Sequence, residues 1–262
     1  YNGNLGSSGL PLTIGWDGQA GVHFINGLID DVRLYNRALS ANEIQKLYNY
    51  APGPVGWWSF EEGDGQVAAD RSGNSNNGRL GSGTGVDAND PVWTAGKFGK
   101  GLKFDGNNDY VDGGNSPSLV LTKTGSVSMW FKADSAFSGA TGKQKFLMDG
   151  GPREFYFSGE SSRLFYFVSD DSASVFSNAT SWDANWHHAE VTSDGTTMKM
   201  YIDGVQQIAT LNLGATNFFA NDGNLRIGSN TGGSATFPGT IDEVRIYNYA
   251  RTQQQVLEDM AS

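Results

Sequence analysis

The chain closes a structural unit twice. GLIDDVRLYNRALS at residues 27–40 and GTIDEVRIYNYART at residues 239–252 align residue for residue, and Ile29, Asp30, Val32, Arg33, Tyr35, Asn36 and Ala38 return as Ile241, Asp242, Val244, Arg245, Tyr247, Asn248 and Ala250. Upstream, LTIG at 12–15 echoes LRIG at 225–228, one residue out of step with the later match. An internal repeat of this kind limits the fold to one supersecondary pattern used more than once. Downstream, Ser40 followed by Glu43, and Thr252 followed by Gln255, are capping boxes. Ile44 and Leu47 in one copy, and Val256 in the other, give each short helix an apolar face. Each copy therefore reads strand, strand, helix.

Between the copies, APGPVG at residues 51–56 breaks both patterns with two prolines and two glycines, the mark of a semi-rigid linker. A new set of strands follows. Trp57, Trp58 and Phe60 open it, and SVSMWF at 126–131, EFYF at 154–157, RLFYFV at 163–168, HHAEVT at 187–192 and MKMYID at 198–203 alternate in period two. Turn signals such as SDG and DGNL separate several of these runs, which is the spacing of a two-sheet sandwich. The expected organisation is a complete domain at 55–262, a linker at 51–56 and, at 1–50, the C-terminal part of an earlier repeat.

Composition agrees with many short strands. The 262 residues include 36 glycines, 12% aromatics and only 18% charged residues. A formal net charge of -10 argues against nucleic acid and anionic membrane surfaces as partners. With no cysteine there is neither a disulfide framework nor a thiolate zinc site, so cysteine usage does not reveal the redox compartment. No apolar run approaches the roughly 18 residues of a membrane span, so no membrane insertion is expected, and YNGNLGSSG does not read as a signal peptide.

The segments WWSFEEGDGQVAADRSGNSNNGRL, GKFGKGLKFDGNNDYVD, NWHHAEVTSDGTTMKMYIDG and GTIDEVRIYN resemble the successive signatures of laminin-G-like domains. The resemblance spans almost all of 55–262, and residues 1–50 resemble only the last quarter of the same domain. It implies an all-β, concanavalin A-like jelly-roll sandwich of two antiparallel sheets, with a short helix after each repeat.

Few residues suggest chemistry. His187 and His188 occupy ordinary strand positions, Trp186, His188 and Glu190 alternating with His187, Ala189 and Val191. No serine sits in a nucleophile motif, and the carboxylate patterns of glycoside hydrolases on this fold are missing. No catalytic residue is expected.

The loop DRSGNSNNG at 70–78 is different: Asp70, Asn74, Asn76 and Asn77 crowd hard oxygen donors around two glycines, as a calcium site requires. Asp242 shares a strand face with Val244 and Ile246 and so points the way the core residues point, where an unpaired carboxylate is costly. The resemblance implies a structural calcium between an early loop and the final strands, so Asp70, Asn74, Asn76 and Asp242 are its candidate ligands. The alternative is that the asparagines only form turns and Asp242 accepts backbone hydrogen bonds.

A second candidate site is aromatic. In EFYFSGESSRLFYFV the phenylalanines alternate with Tyr156 and Tyr166, which suggests a hairpin with one phenylalanine face and one tyrosine face. Tyr156, Tyr166 and Trp182 are candidate platforms for sugar rings, with Arg153, Asp170 and Asp171 placed to bind hydroxyls. Both faces being buried is the alternative. The functional expectation is a non-catalytic extracellular or cell-surface module, one of a tandem array, that binds a glycan or another surface protein. The competing expectation is a structural or assembly subunit whose residues 1–50 pack on a neighbouring repeat or subunit. A degenerate glycan-active enzyme is the third class.

Overall fold

The computed structural model describes residues 12–16, 25–27, 29, 32–48, 52–121, 123–134, 145–149, 155–160, 163–168, 173–178, 184–213, 223–230 and 235–261. Two compact units divide the chain, Tyr1–Ala51 and Pro52–Ser262. In the first, α1 (Ala41–Tyr48) is held at its start by the reciprocal bonds that Ser40 and Glu43 predict. The Ser40 amide donates to Glu43 Oε2 at 2.8 Å, and the Glu43 amide donates to Ser40 Oγ at 3.3 Å.

Period-two alternation builds the second unit. In chain order it contains β1 (Gly56–Trp58), β2 (Val67–Ala68), β3 (Gly78–Leu80), β4 (Val92–Ala95), β5 (Lys100–Asp105), β6 (Val111–Gly114), β7 (Thr124–Ala133) and β8 (Lys145–Asp149). There follow β9 (Phe155–Glu160), β10 (Arg163–Val168), β11 (Ala173–Phe176), β12 (His187–Asp194), β13 (Thr197–Ile202), β14 (Val205–Asn212), β15 (Leu225–Ile227), β16 (Pro238–Tyr247) and α2 (Gln253–Met260). One antiparallel sheet runs β14-β13-β12-β7-β16-β5-β4, with β1 also on β16, and the other runs β11-β10-β9-β8-β15-β6-β3-β2. The architecture is the expected jelly-roll sandwich.

The strand β16 organises the first sheet. Along one edge it pairs with β7, and along the other with β5 in its first half and β1 in its second. Alternate residues of these strands and of β12, among them Leu102, Phe104, Val127, Met129, Phe131, Ala189, Val191, Ile241, Val244 and Ile246, form the inner face. Leu80, Val111, Val175, Leu225 and Ile227 come from the second sheet, with Trp58, Phe60 and Phe237 buried among them. Each such side chain contributes about 1.5–3 kcal/mol by leaving water. Gly228, at φ +87°, lies against the Phe104 ring, where a Cβ has no room.

The run IDEVRIY is not an uninterrupted strand. The register of β16 on β7 shifts between Asp242 and Arg245, with Glu243 at φ +50°. This bulge puts two residues opposite one. Asp242 pairs with Trp130 and Arg245 with Ser128, two residues of one sheet face. Asp242 therefore shares the outer face with Arg245 and not, as alternation predicts, the inner face with Val244 and Ile246.

Candidate functional site

The outer face of the first sheet is polar and partly roofed by α2. His188, Glu190 and Thr192 of β12 project there, opposite Trp130, Ser128 and Ser126 of β7, because Ala189 and Val191 take the inner face. On the other side of β12, Tyr201 pairs with Glu190 and Lys199 with Thr192. The start of α2 is set by a capping box in which the Thr252 side chain accepts from the Gln255 amide and the Gln255 side chain accepts from the Thr252 amide.

Asp259 fastens α2 to the sheet. It accepts from Arg251 Nε at 2.9 Å, Arg251 Nη2 at 2.6 Å and the Tyr247 hydroxyl at 2.8 Å, and Arg245 Nη1 lies 3.4 Å from it. Arg245 also donates to Glu243 at 2.6 Å, which takes a further bond from Trp57 Nε1 at 2.9 Å. Two guanidinium groups thus face two carboxylates. Glu190 lies beside them, fully buried and with no hydrogen-bond partner for either oxygen. Burial, and then the Asp259 charge, push its carboxyl well above the ordinary value. A protonated Glu190 leaves the cluster electrically balanced.

Beside this cluster a groove opens, with a volume of about 350 Å³, between the β12–β14 strands and the residues that lead into α2. Thr192, Asp194, Lys199, Tyr201, Gln206 and Arg251 line most of it, with Thr252 and Gln253 at the helix end. Almost every lining side chain can make hydrogen bonds, and the size is that of a small-ligand pocket. Asp194 Oδ1 accepts from the Thr196 amide, the Thr196 hydroxyl and the Thr197 amide at 2.9, 2.7 and 2.8 Å. These bonds, the Thr196 hydroxyl first, hold its carboxyl below the ordinary value. The sequence did not single out this groove, since SDGTTMKM reads as an ordinary turn and strand until α2 is laid beside it.

The residues expected to hold calcium do not fit one. Asp70 Oδ1 accepts from the Trp57 and Ser72 amides at 2.9 and 2.8 Å, and Oδ2 from the Ser72 hydroxyl and the Asn76 amide, each at 2.8 Å. All four lone-pair positions are used. Asn74 and Asn76 turn their amide nitrogens to the Val55 carbonyl at 3.1 and 2.9 Å, and Asn76 Oδ1 accepts from Ser118. Asp242 takes its donors from elsewhere: the Lys97, Phe98 and Glu243 amides at 2.8, 3.0 and 2.8 Å. Gly96 makes this possible, because a Cβ there would lie 2.5 Å from Asp242 Oδ2. Burial still pushes the Asp242 carboxyl up to about 7. Calcium needs six to eight oxygens with free lone pairs, and the side-chain oxygens of Asp70, Asn76 and Asp242 are committed to N–H and O–H donors. Among the described residues no three His, Asp or Glu side chains cluster as metal ligands.

The tyrosine platform is corrected by the register of β9 and β10. Glu160 pairs with Arg163, so odd positions on one strand face even positions on the other. Tyr166 pairs with Phe157, and Tyr156 with Phe167. The two tyrosine positions therefore lie on opposite sheet faces. Tyr166 also pairs with Val175, which is buried in the core, so its position belongs to the inner face. Arg153, Asp170, Asp171 and Trp182 lie outside the described residues. His188 is buried with its Nδ1 unpartnered, and His187 Nδ1 lies 2.8 Å from Asp203 Oδ2.

Family comparison supports the architecture. The laminin-G-like model described as the concanavalin A-like lectin/glucanases superfamily matches residues 2–45 and 105–257. The chain belongs to this family. No curated protein sequence matches it significantly. Among solved structures, domain 4 of AbnA, a GH43 extracellular arabinanase from Geobacillus stearothermophilus in complex with arabinotriose, aligns at a TM-score of 0.58 and 23% identity, over 79% of this chain and 98% of that one. The binding domain of Paraclostridial Mosquitocidal Protein 1 aligns at 0.62 and 15% identity, over 79% and 52%. The receptor binding domain of botulinum neurotoxin type G aligns at 0.58 and 12%, over 80% and 51%, so this chain spans about half of each toxin domain. At these identities the likeness establishes the fold. No described helix is long and apolar enough to cross a membrane.

Proposed function

We propose that the second unit is a non-catalytic, extracellular binding module and that its ligand is a glycan held in the groove beside α2. The observation that carries this reading is the lining: Thr192, Asp194, Lys199, Gln206 and Gln253 present donors and acceptors in a space of about 350 Å³. A ligand made of hydroxyls matches such walls better than an apolar one does. The family supports the reading, and so does the arabinotriose bound by the arabinanase domain of like fold. A glycan array probed with the wild type, Gln206→Ala and Thr192→Val tests it. Binding that the two substitutions weaken is the expected result, and an array with no signal for the wild type defeats the proposal.

A second reading, an assembly or structural subunit of a surface array, is favoured by one observation in the first unit. Leu12, Ile14, Val32 and Leu34 are all exposed apolar side chains. Light scattering across a range of concentrations, with Leu34→Lys as the probe, tests it; a monomer at all concentrations opposes it.

A further inference from the structure

The groove also carries information about the charge of its ligand. Lys199, half-exposed on β13, contributes a cation with neither an ion pair nor a hydrogen bond, whereas Arg251 is held by Asp259, Gln255 and Tyr249. Thr192 beside it is only 5% exposed, and its hydroxyl, on the groove wall, has no partner. That hydroxyl opens to the groove, where a polar ligand can take the place of its bond with water. The chain enters α2 at the facing wall, which brings the positive end of the helix dipole to the groove.

The same strand wall sets a limit on negative charge. Asp194 has Oδ1 filled by three donors, while Oδ2 accepts none and is left to take a hydroxyl. A second negative group near it would be repelled, and the chain's net charge of -10 disfavours densely charged polymers in the same way. One cation, one acceptor carboxylate and a hydroxyl on the groove wall together suit a ligand that has one anionic group among hydroxyls. A free inorganic anion offers nothing to Asp194.

We propose that the groove binds a sugar unit bearing a single anionic substituent, a carboxylate or a sulfate ester, with Lys199 as its counter-charge and Asp194 and Thr192 on its hydroxyls. This rests on the glycan-binding reading above and narrows it.

Isothermal titration with four methyl glycosides tests the inference: a hexuronate, its neutral methyl ester, a hexose sulfate ester and the plain hexose. The expected result is that one or both anionic sugars bind about ten-fold more tightly than the neutral pair, since charge-assisted hydrogen bonds are roughly twice as strong as neutral ones. Whichever anion is preferred identifies the substituent. Lys199→Ala should abolish the preference and Lys199→Arg should keep it, while added salt should weaken it. Lys199→Thr, which retains strand propensity, guards against a folding defect, and thermal melts of each variant confirm it. Neutral sugars that bind as well as anionic ones, or a preference that survives Lys199→Ala, overturn the inference while leaving glycan binding intact. No binding of any sugar overturns both.

Discussion

The two copies of the repeated segment have nearly the same letters and opposite environments. Ile241, Val244 and Ile246 are 0% exposed, whereas Ile29, Val32 and Leu34 at the equivalent positions are 44%, 56% and 82% exposed. In the second copy β16 lies between β7 on one edge and β5 and β1 on the other, and those neighbours, with the second sheet, remove its apolar side chains from water. The helix caps tell a different story. Ser40 with Glu43 and Thr252 with Gln255 form the same reciprocal bonds in both copies. Capping needs four consecutive residues, while burial needs partners far away in the chain.

The copies also differ at the two positions that fasten the helix in the second. Where the second has Arg251 and Asp259, the first has Leu39 and Leu47. Replacing a buried ion pair by apolar residues is often neutral when both partners change together. Breaking only one side of it should be the largest effect. Asp259→Ala strands Arg251 and the Tyr247 hydroxyl and is expected to cost about 3–5 kcal/mol in urea unfolding. The double change Arg251→Leu with Asp259→Leu should recover most of that loss. A single variant as stable as the wild type would mean that the ion pair does not hold α2.

The next effect probes burial directly. Ile246→Ala is expected to cost about 2–5 kcal/mol, because it empties a core site, and Leu34→Ala at the matching position should stay within about 0.5 kcal/mol. Equal losses would show that the first copy buries these side chains as the second does.

A third test uses protons. Burial, with the Arg245 charge adding to it, pulls the His188 pKa down to about 3 from an ordinary 6.5. The unfolded chain then takes up the proton first, so stability is lost as pH falls from about 6.5 towards about 3, by about 1.4 kcal/mol for each pH unit. His188→Gln should flatten this slope. Glu190 acts in the opposite sense: its folded value is raised, so stability is lost as pH rises above its ordinary 4.5, and Glu190→Gln should make the protein more stable at pH 8. Parallel pH profiles for wild type and variants would contradict both assignments.

The smallest expected effect is that of chelation. With Asp70 and Asp242 committed to N–H and O–H donors, exhaustive chelation should leave the melting temperature unchanged within about 1 °C, whereas a resident ion would stabilise the fold by mass action. A drop of several degrees would return calcium to the early loop.

Much of the architecture was legible in the sequence, and the departures have local causes. SVSMWF and MKMYID alternate as their buried faces require, since a strand's side chains change sides at every residue. Asp242 was placed on the wrong face because a bulge at Glu243 adds a residue that IDEVRIY does not announce. Alternation alone puts Tyr156 and Tyr166 on one face, and the pairing of Glu160 with Arg163 reverses the parity between β9 and β10. The groove was missed for a different reason: Lys199 reads only as an outward residue between Met198 and Met200, and nothing near it in the chain mentions Arg251 or Gln253.

By itself, then, the sequence determined what short-range physics controls: the repeat, the alternation that makes strands, the capping boxes that start both helices, and the all-β class. Tertiary structure decided the rest. Which copy of the repeat is buried, which face Asp242 takes, where Asp259 anchors α2 and which side chains line the groove all depend on contacts between residues distant in the chain. Such contacts follow from sheet register and layer packing, and these are settled only when the whole sandwich closes around its core.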